Sequence, residues 1–361
     1  MKVLRVINSL NIGGAERSIA GNVPLHVQNG VDIEVLLLNG NETFFLKELE
    51  KHNVKVHFLG KNNSVYNPIL IFKLFRYINK YDIIHVSLFP ALYWLALAKI
   101  LFSSKSKLIF TEHNTHNKRM NNFLFRMIDK ILYKQYQSIV AISPEVNFNL
   151  SKHLGHKYPI ITIYNGVDIS KIKQAHNRKE KLDFIPSNKK LLLQVSGFRA
   201  QKDQDTLIRA LALLPIEFHL LLIGDGPRID ICKALAKSLN VQERITFLGL
   251  QHNVEDILHS SDIVILSSHW EGFGRSAVEG MAAGKPVIAS NVEGLSQIVE
   301  GAGLLFEVGD YIALSGLILD LSSSDLIYKE VAQKCLERAH KYDIRKMVDS
   351  YEQLYRALCS D

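Results

Sequence analysis

Two glutamates in the C-terminal half, Glu271 and Glu279, bracket the sequence GFGRSAV directly after the apolar run DIVILSS. Gly272 and Gly274 therefore lie where a strand ends and a helix begins. Glycine at such a turn lets the backbone approach a ligand closely, and the N-terminus of the helix favours a phosphate group. Carboxylates beside a phosphate cradle can accept hydrogen bonds from the hydroxyls of a sugar and of a ribose. The block fits a sugar nucleotide, although an isolated pair of glutamates at this spacing is more often solvated surface.

A second block, SGFRAQKD at residues 196–203, follows the apolar run KLLLQV and precedes the helical pattern DTLIRALALL. We expect Arg199 and Lys202 at the mouth of a sheet, where cations can stabilise the negative charge of a departing diphosphate. Spacing alone is equally consistent with two solvated loop cations. Asp203 and Asp205 form a D-x-D tripeptide, but their position just ahead of a helical segment predicts helix capping by one of them.

The N-terminal half carries two further groups of polar residues at strand ends. Gly13, Gly14 and Glu16 follow the first strand-like run, and Glu112 and His113 follow the run KLIF. A histidine in such polar surroundings is often structural, so its position after a strand is weak evidence by itself.

Both halves of the chain alternate strand-like and helix-like segments. Short, nearly continuous apolar runs indicate strands buried on both faces of a parallel sheet. The runs are VLRVINS, DIEVLLLN, VKVHFLG, DIIHVSL, KLIFTEH, SIVAIS and IITIYNG in the first half and KLLLQVSG, FHLLLIGDG, RITFLG, DIVILSS and PVIAS in the second. Strand alternating with helix predicts an α/β fold in each half.

A chain of 361 residues is long enough for two domains of ordinary size. The polar, lysine-rich stretch from Ser170 to Lys190 predicts a linker, and a helical apolar stripe from Ile344 to Leu358 must pack on another element. The expected units are an N-terminal domain at 1–168, a linker at 169–190, a C-terminal domain at 191–340 and a terminal helix at 341–361.

Taken together, these motifs resemble those of the family 4 glycosyltransferases, and the resemblance extends over nearly the whole chain. The matching segments are EGFGRSAVE at 271–279, GGAE at 13–16, TEH at 111–113 and NGVD at 165–168. The resemblance implies the GT-B architecture, in which two Rossmann-like domains with parallel sheets face each other. It also implies that the C-terminal helix crosses back to the N-terminal domain.

The resemblance assigns a role to most of the candidate site residues; Arg275, where the family usually has an aliphatic residue, is included because its charge would lie beside the donor diphosphate. The catalytic set consists of His113, Glu271, Lys202 and Arg199, the donor-binding set of Gly13, Gly14, Gly224, Gly249, Gly272, Phe273, Gly274, Arg275 and Glu279, and the acceptor-side set of Glu16 and Glu112. In this assignment Glu271 contacts the transferred sugar, Glu279 the ribose and Lys202 the diphosphate. Arg199 fits the family pattern less well, because one residue separates it from the preceding glycine.

The implied reaction is the transfer of a sugar from a nucleoside diphosphate sugar to an acceptor hydroxyl, with retention of anomeric configuration. The donor is a co-substrate, and neither a cofactor nor a metal ion is expected. The acceptor is expected to be a lipid-linked glycan of polysaccharide or lipopolysaccharide biosynthesis. Two alternatives remain open, a sugar-nucleotide epimerase on the same fold and a non-catalytic glycan-binding subunit.

Positive charge is concentrated in the first half of the chain. Residues 1–168 carry 20 Lys and Arg against 11 Asp and Glu, whereas the remainder carries 23 against 25. A basic half suggests an anionic partner, which we expect to be a membrane surface and not nucleic acid. Cations recur beside apolar residues there, as in an interfacial amphipathic helix. The expected segments contain Arg126, Lys130 and Lys134, and Lys73, Arg76 and Lys80 beside Phe72, Leu74 and Phe75.

The N-terminus has no apolar run followed by a small-residue cleavage site, so a secretory signal is not expected. The longest apolar stretch, Leu88 to Phe102, is too short to span a bilayer. We therefore expect a cytoplasmic protein held peripherally on the inner face of the cytoplasmic membrane.

Arg275 lies at the start of the helix that carries Glu279, where a cation is unfavourable. A compensating anion is therefore expected nearby. The candidates are the donor diphosphate and a protein carboxylate such as Glu271 or Glu16.

Overall fold

The computed structural model describes residues 1–62, 64–115, 118–155, 157–175, 185 and 188–360. The chain divides into two compact units. Unit 1 comprises Met1–Gly166 and Ile344–Asp361, and unit 2 comprises Val167–Asp343. Each unit is an α/β domain with its own sheet, as predicted from the alternation of strand and helix.

The sheet of unit 1 is made of parallel strands whose central members are buried at nearly every position. The strands found in the described residues are β1 (Lys2–Ile7), β2 (Asp32–Leu37), β3 (Val56–Phe58), β4 (Ile83–Ser87), β5 (Lys107–Glu112), β6 (Tyr136–Ala141) and β7 (Ile160–Thr162). Their order across the sheet is β3-β2-β1-β4-β5-β6-β7. The strands lack the polar alternation of a half-exposed sheet because helices cover both faces.

Two layers of helices cover the sheet of unit 1. One face carries α1 (Gly14–Gln28), α2 (Phe44–Lys51) and the C-terminal helix α15 (Ile344–Ser360), and the other carries α3 (Leu70–Leu74), α4 (Ala91–Leu101), α5 (Phe123–Leu132) and α6 (Pro144–Leu154). Successive strand residues point to opposite faces of the sheet. Val3 and Ile7 therefore pack against the helices of the first face, whereas Leu4 and Val6 pack against those of the second.

The C-terminal helix is part of unit 1, which confirms that it crosses back to the N-terminal domain. Ile344, Met347, Tyr351 and Tyr355 of its apolar stripe are buried in one cluster with residues of α1 and the central strands. The helix starts against Gly166, where an added Cβ would collide with the backbone of Ile344.

Unit 2 repeats the parallel arrangement. Its described strands are β8 (Lys190–Val195), β9 (Phe218–Ile223), β10 (Ile245–Gly249), β11 (Ile263–Leu266), β12 (Val287–Ser290) and β13 (Leu304–Phe306), in the order β10-β9-β8-β11-β12-β13. Its described helices are α7 (Ile169–Ala175), α8 (Gln204–Leu213), α9 (Ile229–Ser238), α10 (Val254–Ser260), α11 (Arg275–Ala282), α12 (Ser296–Val299), α13 (Tyr311–Ser323) and α14 (Asp325–Ala339). The sequence runs predict each of these strands except β13, whose three residues are too short a run to stand out.

The expected linker at 169–190 begins with helix α7, which belongs to unit 2. Residues 176–184, 186 and 187 of that linker lie outside the described residues.

In both sheets the strand order reverses at one point, between β1 and β4 in unit 1 and between β8 and β11 in unit 2. Loops that leave the carboxyl ends of two such strands diverge to opposite faces, which leaves a crevice where open α/β sheets bind their ligands. The order reversals therefore mark the expected ligand sites of the two units.

Candidate functional site

The two loops at the order reversal of unit 2 bring Lys202 and Glu271 together. Lys202 comes from the loop after β8 and Glu271 from the loop after β11. The Lys202 Nζ donates a hydrogen bond to Glu271 Oε1 and forms an ion pair with it. Ser268 Oγ donates to the same carboxylate oxygen at 2.9 Å. The side chains of Lys202 and Glu271 are 21% and 11% exposed, so the pair is partly desolvated yet still open to a ligand.

Hydrogen bonds between the same two loops fix the backbone around this pair. Ser267 Oγ donates to the carbonyl of Asp203 at 2.6 Å, and the amide of His269 donates to the carbonyl of Gln201 at 2.8 Å. From β8, Gln194 Nε2 donates to the carbonyl of Lys202 at 2.9 Å. The contact between Lys202 and Glu271 is therefore held by rigid backbone and not by the long side chains alone.

Arg275 and Glu279 lie one turn apart at the start of α11. Arg275 Nε donates to Glu279 Oε1 at 2.9 Å, and the Glu279 side chain is only 5% exposed. The structure thus places a protein carboxylate beside Arg275, that of Glu279 on the same helix, which the sequence analysis did not name as a partner. The i, i+4 spacing places the two side chains on one face of the helix, which explains the pairing.

The glycine turn before α11 is needed for its backbone conformation. Gly274 is the N-terminal cap of the helix with φ +70°, a left-handed value that other residues rarely adopt. Beside it, Phe273 is 4% exposed and packs edge-on against Tyr342, with ring centroids 5.4 Å apart. The Phe273 side chain therefore packs in the core, while the backbone of Gly272 to Gly274 forms the turn.

Arg199 differs from Lys202 in its surroundings. Phe198 fills the position directly after Gly197, is 1% exposed and packs against Phe247 at a ring distance of 5.9 Å. Arg199 is consequently moved one residue along the loop and is exposed at the start of the 3-10 turn that carries Lys202. A buried aromatic side chain thus occupies position 198, and Arg199 follows it on the exposed side of the loop.

Gly224 and Gly249, two further residues of the predicted donor-binding set, lie where the loops after β8, β9 and β10 contact one another. Gly224 has φ +138°, and a Cβ there would collide with the carbonyl of Ser196. Its amide donates to the carbonyl of Gly249 at 2.8 Å. Close approach of these backbones requires glycine at 224.

The D-x-D tripeptide has a structural role, as predicted. Asp203 caps α8, with its side chain accepting from Thr206 N at 3.4 Å and from Thr206 Oγ1 at 2.6 Å. Asp205 pairs with Arg228 at 2.7 Å. Both carboxylates are thus engaged by neighbouring groups of unit 2.

At the order reversal of unit 1, Gly13 caps α1 and is followed by Gly14 and Glu16. The Glu16 carboxylate folds back over the start of its own helix, so that a Cβ added at Gly13 would collide with it. Burial raises the pKa of Glu16, and a hydrogen bond from its own backbone amide partly offsets that rise. A protein carboxylate therefore covers the N-terminus of α1.

Glu112 and His113 point to different sides of β5. Glu112 is 2% exposed, and its Oε1 accepts from the amide of Asn114 at 3.0 Å, which closes the turn after the strand. Burial raises the Glu112 pKa. Both ring nitrogens of His113 are buried, and neither has a hydrogen-bond partner among the described residues. Burial, and next the charge of Arg5, lower the pKa of His113 to about 3, so its imidazole is neutral in the physiological range.

Sequence reasoning missed a buried polar cluster beneath His113. It comprises Arg5 on β1, His85 on β4, Thr111 on β5, and Tyr351 and Tyr355 on α15. A usable signal existed, because Arg5 and His85 are polar residues inside otherwise apolar runs. Nothing in the sequence indicated that the C-terminal helix would supply the tyrosines.

The predicted amphipathic segments of unit 1 need correction at several positions. Helix α3 ends at Leu74, so Arg76 and Lys80 lie beyond it, and Leu74 itself is fully buried. Lys73 Nζ donates to the carbonyl of Leu59 at 2.9 Å. The sequence pattern predicts a helix that includes Lys73, Arg76 and Lys80, whereas the chain forms a short helix followed by turns.

Helix α5 retains an exposed apolar face. Arg126 is exposed as well, and its guanidinium donates to the carbonyls of His153 and Lys152 at the end of α6, at 3.0 and 3.4 Å. The carboxylate of Asp129, by contrast, is 1% exposed. The large apolar residues on the outside are Phe123, Leu124, Phe125, Met127 and Ile131, which are 37 to 78% exposed. Among the described helices, none is both long and apolar enough to cross a membrane.

Each unit has a Rossmann-like sheet with the strand order 3-2-1-4-5-6 at its core, and two such domains in one chain define the GT-B class. The family model for glycosyl transferases group 1 matches residues 176–342 of the chain, and the model for Glycosyltransferase Family 4 matches residues 12–171. The chain belongs to these glycosyltransferases, which confirms the family predicted from the motifs.

Relatives of the chain extend over almost its full length. An uncharacterized glycosyltransferase of Methanocaldococcus jannaschii is 30% identical, covering 94% of this chain and 95% of its own. The N-acetylgalactosamine-N,N'-diacetylbacillosaminyl-diphospho-undecaprenol 4-alpha-N-acetylgalactosaminyltransferase of Campylobacter jejuni is 26% identical, covering 93% and 94%. The crystal structure of Anabaena Alr3699/HepE in complex with UDP-glucose superposes with a TM-score of 0.85 at 22% identity, covering 99% and 100%. This last likeness confirms the fold.

Proposed function

We propose that this glycosyltransferase moves a sugar from a nucleoside diphosphate sugar to an acceptor hydroxyl, with retention of anomeric configuration. The observation that best supports this activity is the pairing of Lys202 with Glu271 at the order reversal of unit 2. A cation suited to a diphosphate and a carboxylate suited to sugar hydroxyls are held one hydrogen bond apart. The Anabaena complex with UDP-glucose supports a uridine nucleotide as the donor.

In this proposal Lys202 stabilises the charge that develops on the leaving diphosphate, with Arg199 as a second cation. The N-terminus of α11, at Gly274, adds the positive end of a helix dipole. These groups take the place that a divalent metal ion occupies in other transferases. The proposed reaction is therefore metal-independent.

Glu271 is proposed to bind the transferred sugar and Glu279 the ribose. Diphosphate binding would share Lys202 between the phosphate oxygens and Glu271, so the ion pair orients the carboxylate without blocking it. The buried, neutral imidazole of His113 is assigned a hydrogen bond to a sugar hydroxyl and no role as a proton donor. The leaving phosphate is the proposed base for the acceptor hydroxyl.

We further propose a lipid-linked glycan as acceptor and peripheral docking of unit 1 on the inner face of the cytoplasmic membrane. The name of the Campylobacter relative, which includes a diphospho-undecaprenol acceptor, supports the first part. The outward face of α5 supports the second part. Met127 and Ile131 are 51 and 58% exposed there, and Lys130 is also exposed. An apolar stripe flanked by lysine is the composition of a helix that lies in the headgroup region of an anionic membrane.

A donor screen tests the transfer activity. The full chain is incubated with UDP-, GDP- and ADP-sugars, with and without a short polyprenyl-diphosphate-linked sugar, and nucleotide release and product linkage are measured. We expect UDP release that depends on the acceptor and an α-linked product from an α-linked donor. Conversion of the donor sugar without acceptor would instead identify an epimerase. Binding without turnover would identify a glycan-binding subunit.

Chelation tests the metal-independent part separately. Transfer is measured before and after exhaustive treatment with EDTA, and the rate is expected to be unchanged. Loss of transfer in EDTA, restored by Mn²⁺ or Mg²⁺, would contradict the role given to Lys202.

A further inference from the structure

The buried cluster beneath His113 forms one continuous set of hydrogen bonds. Tyr355 Oη lies 2.6 Å from His85 Nδ1, and His85 Nε2 lies 2.7 Å from Thr111 Oγ1. Tyr351 Oη lies 3.2 Å from the same threonine oxygen. Arg5 donates to His85 Nδ1 and, at 3.3 Å, to Ser87 Oγ. The set links three adjacent strands of the sheet, β1, β4 and β5, to the C-terminal helix.

The chemistry of Arg5 fixes the direction of these bonds. A guanidinium only donates hydrogen bonds, so His85 Nδ1 must be the acceptor and the His85 proton must reside on Nε2. That Nε2 proton is then donated to Thr111. Tyr355 is a second donor to His85 Nδ1, so Arg5 and Tyr355 share the single lone pair of this unprotonated nitrogen.

Thr111 connects this set to the candidate catalytic residue. It lies two residues before His113 at the carboxyl end of β5, and residues two apart in extended backbone share a face. Glu112, between them, points away and closes the turn on the other side. The charge of Arg5 is among the causes that lower the His113 pKa, which agrees with His113 lying on the same side as Arg5.

The set is also costly to build. Arg5 is 2% exposed, and within the described residues it has only neutral hydrogen-bond partners. A buried guanidinium without a carboxylate is unfavourable. Apolar residues would fill the same space with less penalty, as they do at most other positions of these strands. A purely structural role therefore leaves the choice of residues unexplained.

We propose that Tyr355 and Thr111, linked through His85, are positioning residues that fix the carboxyl end of β5 and with it the imidazole of His113. This inference rests on the transfer activity proposed above. It makes the C-terminal helix a support for the site as well as part of the core, because Tyr351 and Tyr355 supply hydroxyls that the strands lack.

Conservative substitutions test the proposal in the full-length chain. Tyr355→Phe and Thr111→Val remove one hydroxyl each and retain the shape of the residue. Each is expected to lower kcat about tenfold, since a displacement of about 1 Å at a reacting group can cost up to about 100-fold. The KM for the donor should stay within about twofold. Thr111→Ser keeps the hydroxyl and should lose less activity than Thr111→Val. The double variant Tyr355→Phe/Thr111→Val should lose little more than either single one, because both act through His85.

Tyr136→Phe is the matched control. Tyr136 is 3% exposed on the opposite face of the same sheet, and its hydroxyl donates to the carbonyl of Leu92 at 2.5 Å. Its loss should lower the melting temperature as much as Tyr355→Phe does, with kcat unchanged.

A readout independent of turnover separates this inference from the proposed function. In ¹⁵N-histidine-labelled protein, His85 should show the Nε2-protonated form, and Tyr355→Phe should shift the ring signals of both His85 and His113. Tyr136→Phe should shift neither. If Tyr355→Phe moves the melting temperature only, with His113 signals and kcat as in the wild type, the cluster is structural and the proposal is wrong. If the His113 signals respond but the wild-type chain turns over no sugar nucleotide, the positioning stands and the proposed function fails.

Discussion

The two units share a sheet topology, but the polar residues at their order reversals differ in burial and in the charge of their partners. In unit 2 the groups at the order reversal are ion pairs within reach of solvent, Lys202 with Glu271 and Arg275 with Glu279. In unit 1 the corresponding region is built on a buried guanidinium surrounded by neutral imidazole and hydroxyl groups.

This contrast agrees with a division of labour between the units. A diphosphate is a charged ligand, and paired, partly open cations such as Lys202 can exchange a protein carboxylate for phosphate oxygens at little cost. A sugar hydroxyl is a neutral ligand, for which a neutral imidazole held in one orientation is the better partner. Under the proposed function, one topology thus carries charged donor-binding groups in unit 2 and an oriented neutral imidazole in unit 1, because function is set by the side chains at the order reversal and not by the fold.

The largest expected effect comes from the charge-based site of unit 2. Lys202→Ala should lower kcat by about 10² to 10³, the range for removal of one preorganised stabiliser of developing charge. Initial rates of UDP release at saturating donor and acceptor measure this effect. Lys237→Ala, which removes an exposed lysine of α9 in the same unit, is the control and should leave kcat unchanged. A near-normal rate for Lys202→Ala would remove this lysine from the site.

The second prediction is that the stability of unit 1 depends more strongly on acid pH than that of unit 2. Burial is the leading cause that lowers the pKa of His26 to about 4 and that of His113 to about 3, and it also lowers the pKa of His85. An unfolded histidine has a pKa of about 6.5. Below that value the unfolded chain binds protons that the folded chain does not, so the free energy of unfolding must fall as the pH falls. The loss begins near pH 6.5 and continues until the folded values are reached, and at pH 5 it should be about 2 kcal/mol for each of His26 and His113.

The two tryptophans of the chain allow each unit to be followed separately. Trp94 lies on α4 of unit 1 and Trp270 in unit 2. Urea unfolding of a Trp270→Phe variant reports unit 1 through Trp94, and a Trp94→Phe variant reports unit 2. We expect the midpoint of unit 1 to fall more steeply between pH 7 and pH 5. Equal shifts of both midpoints would show that the buried histidines of unit 1 do not set the acid response.

The sequence predicted much of the site in unit 2 but little of the cluster in unit 1. Glycines and charged residues directly after apolar runs indicated strand ends, and the parallel order of such strands brings their ends to one edge. Lys202 and Glu271 could therefore be placed in one site. Their ion pair could not be predicted, because it depends on the paths of two loops that are distant in sequence. The hydrogen bond from Ser267 to Asp203, for example, joins residues that are 64 positions apart.

In unit 1 the sequence signals a buried polar cluster through Arg5 and His85, but its partners on the C-terminal helix could not be predicted for a related reason. His85 and Tyr355 are 270 residues apart, and the apolar stripe of α15 showed that the helix packs without showing on what. Helix periodicity likewise could not reveal that the guanidinium of Arg126 donates to a carbonyl at the end of α6. Local patterns predict elements well, whereas partners supplied by distant elements need the assembled fold.

The third prediction addresses the exposed apolar face that distinguishes unit 1. Phe123→Ser removes an aromatic side chain that is 78% exposed at the start of α5. Retention of the variant protein by liposomes containing anionic lipid should fall about tenfold, since burying such a side chain contributes about 1.5 to 3 kcal/mol to the free energy of binding. Co-sedimentation at low salt measures the bound fraction. Leu326→Ser, at an 82% exposed leucine of unit 2, is the control and should not change retention. Equal retention of Phe123→Ser and the wild type would exclude α5 as the docking helix.

The smallest expected effect is at Arg275, and it tests whether the ion pairs of unit 2 serve the donor or the fold. Leucine at 275 removes a cation from a helix start, a gain of about 0.3 to 1 kcal/mol, but it also removes the partner of the nearly buried Glu279, whose charged hydrogen bond contributes about 1.5 to 3 kcal/mol. The second term is larger, so Arg275→Leu should lower the melting temperature of the empty protein by a few degrees, measured by thermal unfolding. If Arg275 orients Glu279 toward the ribose, titration with UDP should also show weaker binding by about three- to tenfold, equivalent to about 0.6 to 1.4 kcal/mol. Arg275→Lys keeps a charge that can reach Glu279 and should recover part of both losses. A lower melting temperature with unchanged UDP affinity would make Arg275 a structural residue, because the carboxylate of Glu279 would then be held well enough without it.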